Sequence, residues 1–340
     1  MLDREIYPEK EWDYLSPKDA GLDEKKLDRA RAYMDQNCGD KGYRVVVLRG
    51  GKVTVEWNKT IGRNEKLGLA SAAKSIFSCI LAIAVREGKI ASPDARLVDY
   101  YPEAVDVPPG EGPKEGRYAF PEDREITFRQ LISNTSGYMK PGEEPGKVFH
   151  YQTFGMNVLT HAIAIAYGLY TVDDPEGSPG MHRLIDEKIG IPIGANFEYY
   201  KNNFDLHDAA RINIFGYYAG VKSNALDMAR LGLLWLREGL WEDKEIVPRG
   251  WIKEATKVAP FIIENCPREQ WGYGYGFWTN EKGVVWPSLP RDSYAAHGAG
   301  RKLIWVCPSR DLVVVESPGV YKKKEDEDRG LVRMIVDACS

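Results

Sequence analysis

The sequence lacks several features that would place it in a specialised class. It has no apolar run as long as a membrane span, and its beginning, MLDREIYPEKEWDYLS, contains no apolar stretch of the secretory type. No block of one charge sign marks a nucleic-acid-binding groove, since 46 basic residues stand against 50 acidic ones. We therefore expect a cytoplasmic protein that binds neither membranes nor nucleic acids.

Cysteine and histidine are also scarce. The five cysteines are odd in number and scattered, and the five histidines lack the His-Glu-x-x-His spacing of zinc enzymes. The Gly-x-Gly-x-x-Gly of dinucleotide sites is absent, as is the Gly-x-Ser-x-Gly of α/β-hydrolases. This pattern favours free thiols and predicts neither a metal nor a cofactor.

Strand and helix patterns occur together at both chain ends. LDEKKLDRARAYMDQN, within 21–37, has the apolar spacing of an amphipathic helix, and β-branched runs at 44–48 and 52–57 flank Gly50 and Gly51 as in a β-hairpin. RKLIWVCPSRDLVVVES repeats the hairpin pattern near the other end, and a last helix is expected at about 325–338.

The middle of the chain reads as helices and loops. Amphipathic segments such as MNVLTHAIAIAYG and NALDMARLGLLWLREG alternate with long loops rich in proline and glycine. We predict an α+β fold in which 1–95 and 250–340 build one antiparallel sheet flanked by helices. Residues 96–249 are expected to form an inserted, mainly helical lobe, with an active site between the two parts.

SAAKS, residues 71–75, opens a strongly apolar segment. In a helix, Ser71 and Lys74 would share one face, about 60° apart around the axis. A desolvated lysine has a lowered pKa and can take the proton of a serine hydroxyl, which makes the serine nucleophilic. Alternatively, Ser71 caps the helix and Lys74 extends into solvent. The pattern by itself leaves both readings open.

Six segments match the motifs of a known superfamily in its own order. They are SAAKS (71–75), FRQLISNTSGY (128–138), FHYQTFGMNVLTHAI (149–163), YAGVKSNALDMARLGLLWL (218–236), WGYGYGFW (271–278) and HGAGRKLIWVCPSRDLVVV (297–315). Through them nearly the whole chain resembles the serine β-lactamase and penicillin-binding-protein superfamily, specifically its class C-like branch with the family VIII carboxylesterases. The resemblance implies a β-lactamase/transpeptidase-like fold and serine hydrolase chemistry.

The resemblance implies three catalytic residues. Ser71 would be the nucleophile, Lys74 its activating base and Tyr151 a partner in proton transfer to the leaving group. Tyr151 fills the first position of the family's Tyr-x-Asn motif, but Thr153 stands where the asparagine would be. A literal Tyr-x-Asn begins at Tyr200, yet Tyr151 is preferred because its flanks reproduce the family's loop and helix. Which of Lys74 and Tyr151 is the resting base stays open.

The superfamily also has a strand beside the nucleophile, and here the resemblance implies His297, Gly298 and Ala299 on it, followed by Gly300. An N–H from this strand, taken as that of Gly300, would form an oxyanion hole with the N–H of Ser71. Small residues allow such a backbone to approach a substrate closely. The alternative is that HGAG is only a turn leading into a strand.

Two departures from the family pattern bear on the substrate. His297 replaces a cationic lysine and Thr153 an asparagine, groups that would bind the carboxylate and amide of a peptide or β-lactam. Ester cleavage needs neither group. An aromatic wall for an acyl or alcohol pocket is the other candidate feature, although alternation with glycine equally fits a half-buried strand. Its residues are Trp271, Tyr273, Tyr275 and Trp278.

We therefore predict a serine hydrolase that cleaves small carboxylic esters through an acyl-enzyme. The alternatives are an amide, peptide or β-lactam hydrolase with the same residues, or a catalytically silent sensor with the same fold. The expected partner is a small-molecule substrate, and the sequence does not indicate an oligomeric state.

Overall fold

The computed structural model describes residues 6–206, 208–319 and 330–339. The α-helices are α1 Glu24–Cys38, α2 Ala73–Arg86, α3 Phe128–Ile132, α4 Phe154–Ala166, α5 Gly180–Ile185, α6 Ile212–Phe215, α7 Ala225–Leu236, α8 Arg249–Ala255, α9 Pro260–Asn265 and α10 Gly330–Ala338. The strands are β1 Tyr43–Arg49, β2 Lys52–Lys59, β3 Leu67–Gly68, β4 Glu198–Asn202, β5 Tyr218–Ser223, β6 Leu240–Trp241, β7 Lys244–Glu245, β8 Trp278–Thr279, β9 Tyr294–Gly298, β10 Lys302–Cys307 and β11 Leu312–Glu316.

Both chain ends build one six-stranded antiparallel sheet. Its strand order is β2-β1-β11-β10-β9-β8, so the amino-terminal hairpin pairs with the carboxyl-terminal one through β1 and β11. The two predicted hairpins and the helix at the amino-terminal end are therefore present, and the α+β class is confirmed. The last helix is described from Gly330 onward, and its expected first residues lie outside the described part.

Helices cover both faces of this sheet. Val45 and Val47 of β1 belong to a core with α1 and α10, whereas Val46 and Leu48 belong to the core that contains α2 and α7. Successive strand residues face opposite sides, so a strand covered on both sides has a continuous apolar sequence. This explains why YRVVVLR shows no polar alternation in its centre.

The other large unit contains α3 to α6 and a small sheet with the order β3-β5-β4. Between this unit and the main sheet runs α2, whose residues 73–84 are all buried. It packs against α4 and α5 on one side and against α8 and β9 on another. Its apolar surface on every face follows from this central position.

The predicted boundary at residue 249, between the inserted lobe and the sheet domain, does not match the packing of the helices. Helix α7 was assigned to the inserted lobe, but it packs on β1, β10 and β11. A Cβ at Gly232 of α7 would overlap Val313 and lie 3.0 Å from Ile304, so glycine lets this helix lie close to the sheet. The division by residue number stays a prediction, and α7 argues against its second boundary.

Within the described residues, no helix is both long and apolar enough to span a bilayer. All five cysteines fall in this part of the chain and are unpaired.

Candidate active site

The turn that carries Ser71 connects the small sheet to the central helix. Strand β3 ends at Gly68, and a 3₁₀ turn over Ala70–Ala72 leads directly into α2. Ala70 has a φ of 49°, a left-handed conformation that is uncommon for a residue with a side chain. The Tyr218 hydroxyl donates a hydrogen bond of 2.8 Å to the Ala70 carbonyl, which fixes this turn from β5. Ser71 makes no side-chain cap on α2.

Lys74 points from the first turn of α2 into the protein and is 1% exposed. Its Nζ lies 2.8 Å from Ser71 Oγ, and 4.9 Å and 5.6 Å from the ring centroids of Tyr151 and Tyr218. Burial lowers the pKa of the Lys74 amine from 10.5 to about 7, because the charged form loses its hydration. The reading in which this lysine extends into solvent is therefore excluded.

Tyr151 precedes α4 and lies beside the same pair of residues. Burial raises the pKa of its hydroxyl, while a hydrogen-bonding interaction with Ser71 acts in the opposite direction. Its ring stacks on that of Trp278, with 5.6 Å between the ring centroids, and packs edge-on against that of Tyr273, with 5.7 Å between the centroids. Ser71, Lys74 and Tyr151, expected together from the sequence, are thus neighbours in space.

The competing tyrosine is placed elsewhere. Tyr200 lies on β4, and its ring covers Gly220 of β5 while its hydroxyl lies next to Gly68. Thr153 occupies the N-cap position of α4 without a side-chain cap and is half-buried. The role that the resemblance assigned to Thr153 stays a prediction.

Strand β9 passes directly alongside the serine turn. Its residue Gly298 has no room for a side chain, because a Cβ there would overlap the Leu69 carbonyl and lie 3.0 Å from the Ala72 nitrogen. Half-buried His297 belongs to the same strand. Exposed Ala299 and half-buried Gly300 lie beyond its end, in the turn to β10, and Gly300 has a φ of 73°. Ala299, which was expected on the strand, lies just beyond its end, and Gly298 makes the close approach. The N–H of Gly300 as an oxyanion donor stays a prediction.

The aromatic segment after α9 does not form a long strand with alternating faces, since only Trp278 and Thr279 of it pair with β9. Tyr275 is 1% exposed and stacks on Trp251, with the Arg129 guanidinium over its ring at 5.2 Å. It has no surface to offer a substrate, which corrects its assignment to a pocket wall.

The remaining aromatic residues differ in their exposure. Tyr273 is also 1% exposed and meets the Tyr151 ring edge-on, so its assignment to a pocket wall is corrected as well. Trp271 is half-buried and donates to the Cys266 carbonyl at 3.0 Å. Trp278 is half-buried and stacks on Tyr151. It is therefore the member of this segment that combines partial exposure with a contact to the Tyr151 ring.

Sequence reasoning missed two residues of the site. Tyr218, which anchors Ala70, and Asn134, which contacts the segment around Tyr151, both lie inside segments that carried the resemblance. Neither has a neighbour in sequence that would suggest a partner near Ser71. The signal that was present is their position inside two of the segments that carried the resemblance.

The model of the family described as Beta-lactamase matches residues 28–317. The chain belongs to the β-lactamase family. This match covers most of the chain and does not distinguish branches, so the class C-like assignment stays a prediction. No curated protein sequence matches the chain.

Solved structures of β-lactamase-like proteins share this fold. One from Bacteroides dorei, described as a β-lactamase, has a TM-score of 0.70 and 16% identity over 94% of this chain and 99% of that one. A penicillin-binding protein homologue from Caulobacter crescentus has a TM-score of 0.66 and 17% identity over 93% and 97%. A protein from Bacillus anthracis described as a 6-aminohexanoate-dimer hydrolase has a TM-score of 0.64 and 18% identity over 90% and 80%. The chain therefore has the fold of the β-lactamase-family serine hydrolases.

Proposed function

We propose that this β-lactamase-family protein is a serine hydrolase that cleaves small carboxylic esters through an acyl-enzyme. The observation that carries the proposal is the 2.8 Å contact between the buried Lys74 amine and the Ser71 hydroxyl. With a pKa of about 7, a large fraction of this amine is neutral near pH 7 and able to accept a proton.

In the proposed first half-reaction, Lys74 Nζ takes the proton of Ser71 Oγ, and the oxygen attacks the ester carbonyl. The resulting oxyanion is held by the N–H of Ser71 and an N–H from 297–300. Tyr151 passes its proton to the departing alkoxide oxygen and regains one from the Lys74 ammonium, which becomes neutral again. In the second half-reaction, water attacks the acyl group on Ser71 and releases the carboxylic acid, and the hydroxyl of Ser71 regains its proton.

We propose esters rather than amides as substrates because of the residues at two positions of the family motifs. A β-lactam or peptide presents a carboxylate and an amide, for which a lysine and an asparagine are suitable partners. His297 and Thr153 occupy those positions here, and a neutral ester requires neither partner.

A second candidate is hydrolysis of an amide, peptide or β-lactam by the same residues. It is favoured by the names of the structural neighbours, which include a protein described as a β-lactamase and one described as a 6-aminohexanoate-dimer hydrolase. A catalytically silent sensor is the third candidate, and it is supported only by the altered positions Thr153 and His297.

Two experiments separate these candidates. A fluorophosphonate probe should add its mass to the wild-type protein and to Ser92→Ala, and should not label Ser71→Ala. An unlabelled wild-type protein favours the sensor. Rates on p-nitrophenyl esters, anilides and a chromogenic cephalosporin then rank the substrates, and equal or faster turnover of the cephalosporin contradicts the preference for esters.

A further inference from the structure

Asn134 holds the backbone on both sides of Tyr151. Its carbonyl oxygen accepts the N–H of His150 at 2.9 Å, and its side-chain Oδ1 accepts the N–H of Gln152 at 3.0 Å. One residue therefore holds the peptide group between 149 and 150 and the one between 151 and 152, on either side of the tyrosine. The His150 ring is held separately, with its Nδ1 2.8 Å from a carboxylate oxygen of Glu143.

Asn134 is itself held rigidly. It is 2% exposed, its N–H donates to the Leu131 carbonyl at 3.1 Å, and its φ of 58° is a conformation that asparagine tolerates better than most residues. Its amide nitrogen points toward the Tyr273 hydroxyl without closing a hydrogen bond of normal length. On the other side of the clamp, the Gln152 Oε1 accepts from Arg117 at 2.9 Å.

We infer that Asn134 is a positioning residue that sets the Tyr151 hydroxyl at the distance from Ser71 needed to protonate the leaving alcohol. This inference rests on the proposed function. A proton donor acts only within hydrogen-bond reach, and general acid catalysis falls steeply when the geometry loosens. Asn134 does not touch substrate in this scheme, because it is 2% exposed and its side-chain oxygen is engaged by the N–H of Gln152.

The identity of the leaving group makes this role measurable. An alkoxide is a poor leaving group and needs a proton as the bond breaks, whereas p-nitrophenolate is stable as an anion. Loss of the clamp should therefore slow an ethyl ester much more than a p-nitrophenyl ester of the same acid. A general loss of structure would slow both esters by the same factor.

The test compares three variants with the wild-type protein. Asn134→Gly keeps the left-handed backbone and the main-chain acceptor but removes Oδ1, and Asn134→Asp keeps an oxygen at that place. Glu242→Gly is the matched control, because exposed Glu242 also has a positive φ, of 53°, in the turn between β6 and β7. Each variant is assayed for kcat/KM on ethyl and p-nitrophenyl butyrate.

For Asn134→Gly we expect a loss of roughly 30-fold on the ethyl ester and less than about threefold on the p-nitrophenyl ester. In Asn134→Asp the ratio of kcat/KM on the ethyl ester to kcat/KM on the p-nitrophenyl ester should return most of the way to the wild-type ratio. In Glu242→Gly this ratio should equal that of the wild-type protein. Equal losses on both esters, or no loss on either, would overturn the inference.

A second measurement is independent of ester cleavage. With ¹³C-labelled tyrosine, the Tyr151 ring signal is identified as the one missing from Tyr151→Phe. It should shift in Asn134→Gly and stay in place in Glu242→Gly. An unmoved signal overturns the positioning role even in an active enzyme, whereas a shifted signal in a protein that cleaves no ester supports positioning and rejects the proposed function.

Discussion

The protonation state of Lys74 leads to the most quantitative prediction. The amine must be neutral to take the proton of Ser71, and its pKa is lowered from 10.5 to about 7. At pH 7 about half of the molecules then carry a neutral amine, whereas an unperturbed lysine would be neutral in about one molecule in 3,000. Burial therefore accounts for roughly a thousandfold in the population of the reactive form.

The assay is the rate of labelling by a fluorophosphonate between pH 5 and pH 9, which reports the attack by Ser71 alone. We expect the rate to fall about tenfold per pH unit below pH 7 and to level off above it. Lys74→Arg should be almost unreactive throughout, because a guanidinium stays charged in proteins. A wild-type rate that keeps rising up to pH 9 would refute a lowered pKa at this residue.

The same amine should lower the stability of the fold. Because the native pKa is depressed, the unfolded chain binds a proton between pH 7 and 10.5 that the native chain does not, so stability rises with pH across this interval. About 3.5 pH units at about 1.4 kcal/mol each give about 5 kcal/mol, an upper limit for the cost of burying this amine below pH 7.

Lys74→Met removes this cost and keeps the volume of the side chain. It should raise the free energy of unfolding in urea by several kcal/mol at pH 7, and by less at pH 9, while abolishing labelling. Lys25→Met, at an exposed position of α1, is the control and should change neither quantity appreciably. If the gain from Lys74→Met is the same at both pH values, the linkage argument fails.

Two further predictions concern the backbone around Ser71. Gly298→Ala should push β9 away from the Leu69 carbonyl and slow labelling by roughly 100-fold, whereas Gly250→Ala, with nothing within 4 Å of the new carbon, should label normally. Wild-type labelling by Gly298→Ala would show that the close approach is not needed. Tyr218→Phe removes the hydroxyl that binds the Ala70 carbonyl and should cost about 1 kcal/mol in urea unfolding. It should also slow labelling, and an unchanged rate would show that the turn holds its shape without this bond.

Local patterns in the sequence were sufficient for the secondary structure that frames the site. The glycine pair 50–51 between β-branched runs predicts the first hairpin, and the structure has β1 and β2 there. The spacing of Ser71 and Lys74 requires them to lie near each other once a helix forms, because neighbours within one turn are fixed by helix geometry. The family resemblance added Tyr151, which local spacing could not have joined to them.

The burial of the lysine in that pair was decided by tertiary structure. The three-residue spacing of Ser71 and Lys74 is equally compatible with a lysine side chain in solvent. In the folded chain Tyr151 and Tyr218, which come from distant segments, pack beside the Lys74 amine and help to exclude water from it. Desolvation depends on everything within a few ångströms in space, most of which is remote in sequence. The sequence thus determined which groups could react, and the fold determined their protonation.

The same distinction explains the placements that the sequence assigned wrongly, namely Ala299 on the strand and Tyr273 and Tyr275 in a pocket wall. The sequence around Ala299 and Tyr275 shows which residue types are present, but it does not fix where β9 ends or which way an aromatic ring turns. Strand ends depend on pairing with β10, and the Tyr275 ring is drawn to Trp251 and Arg129, which belong to other segments. Side-chain direction outside regular strands follows the packing partners that are available, and these exist only in the folded chain.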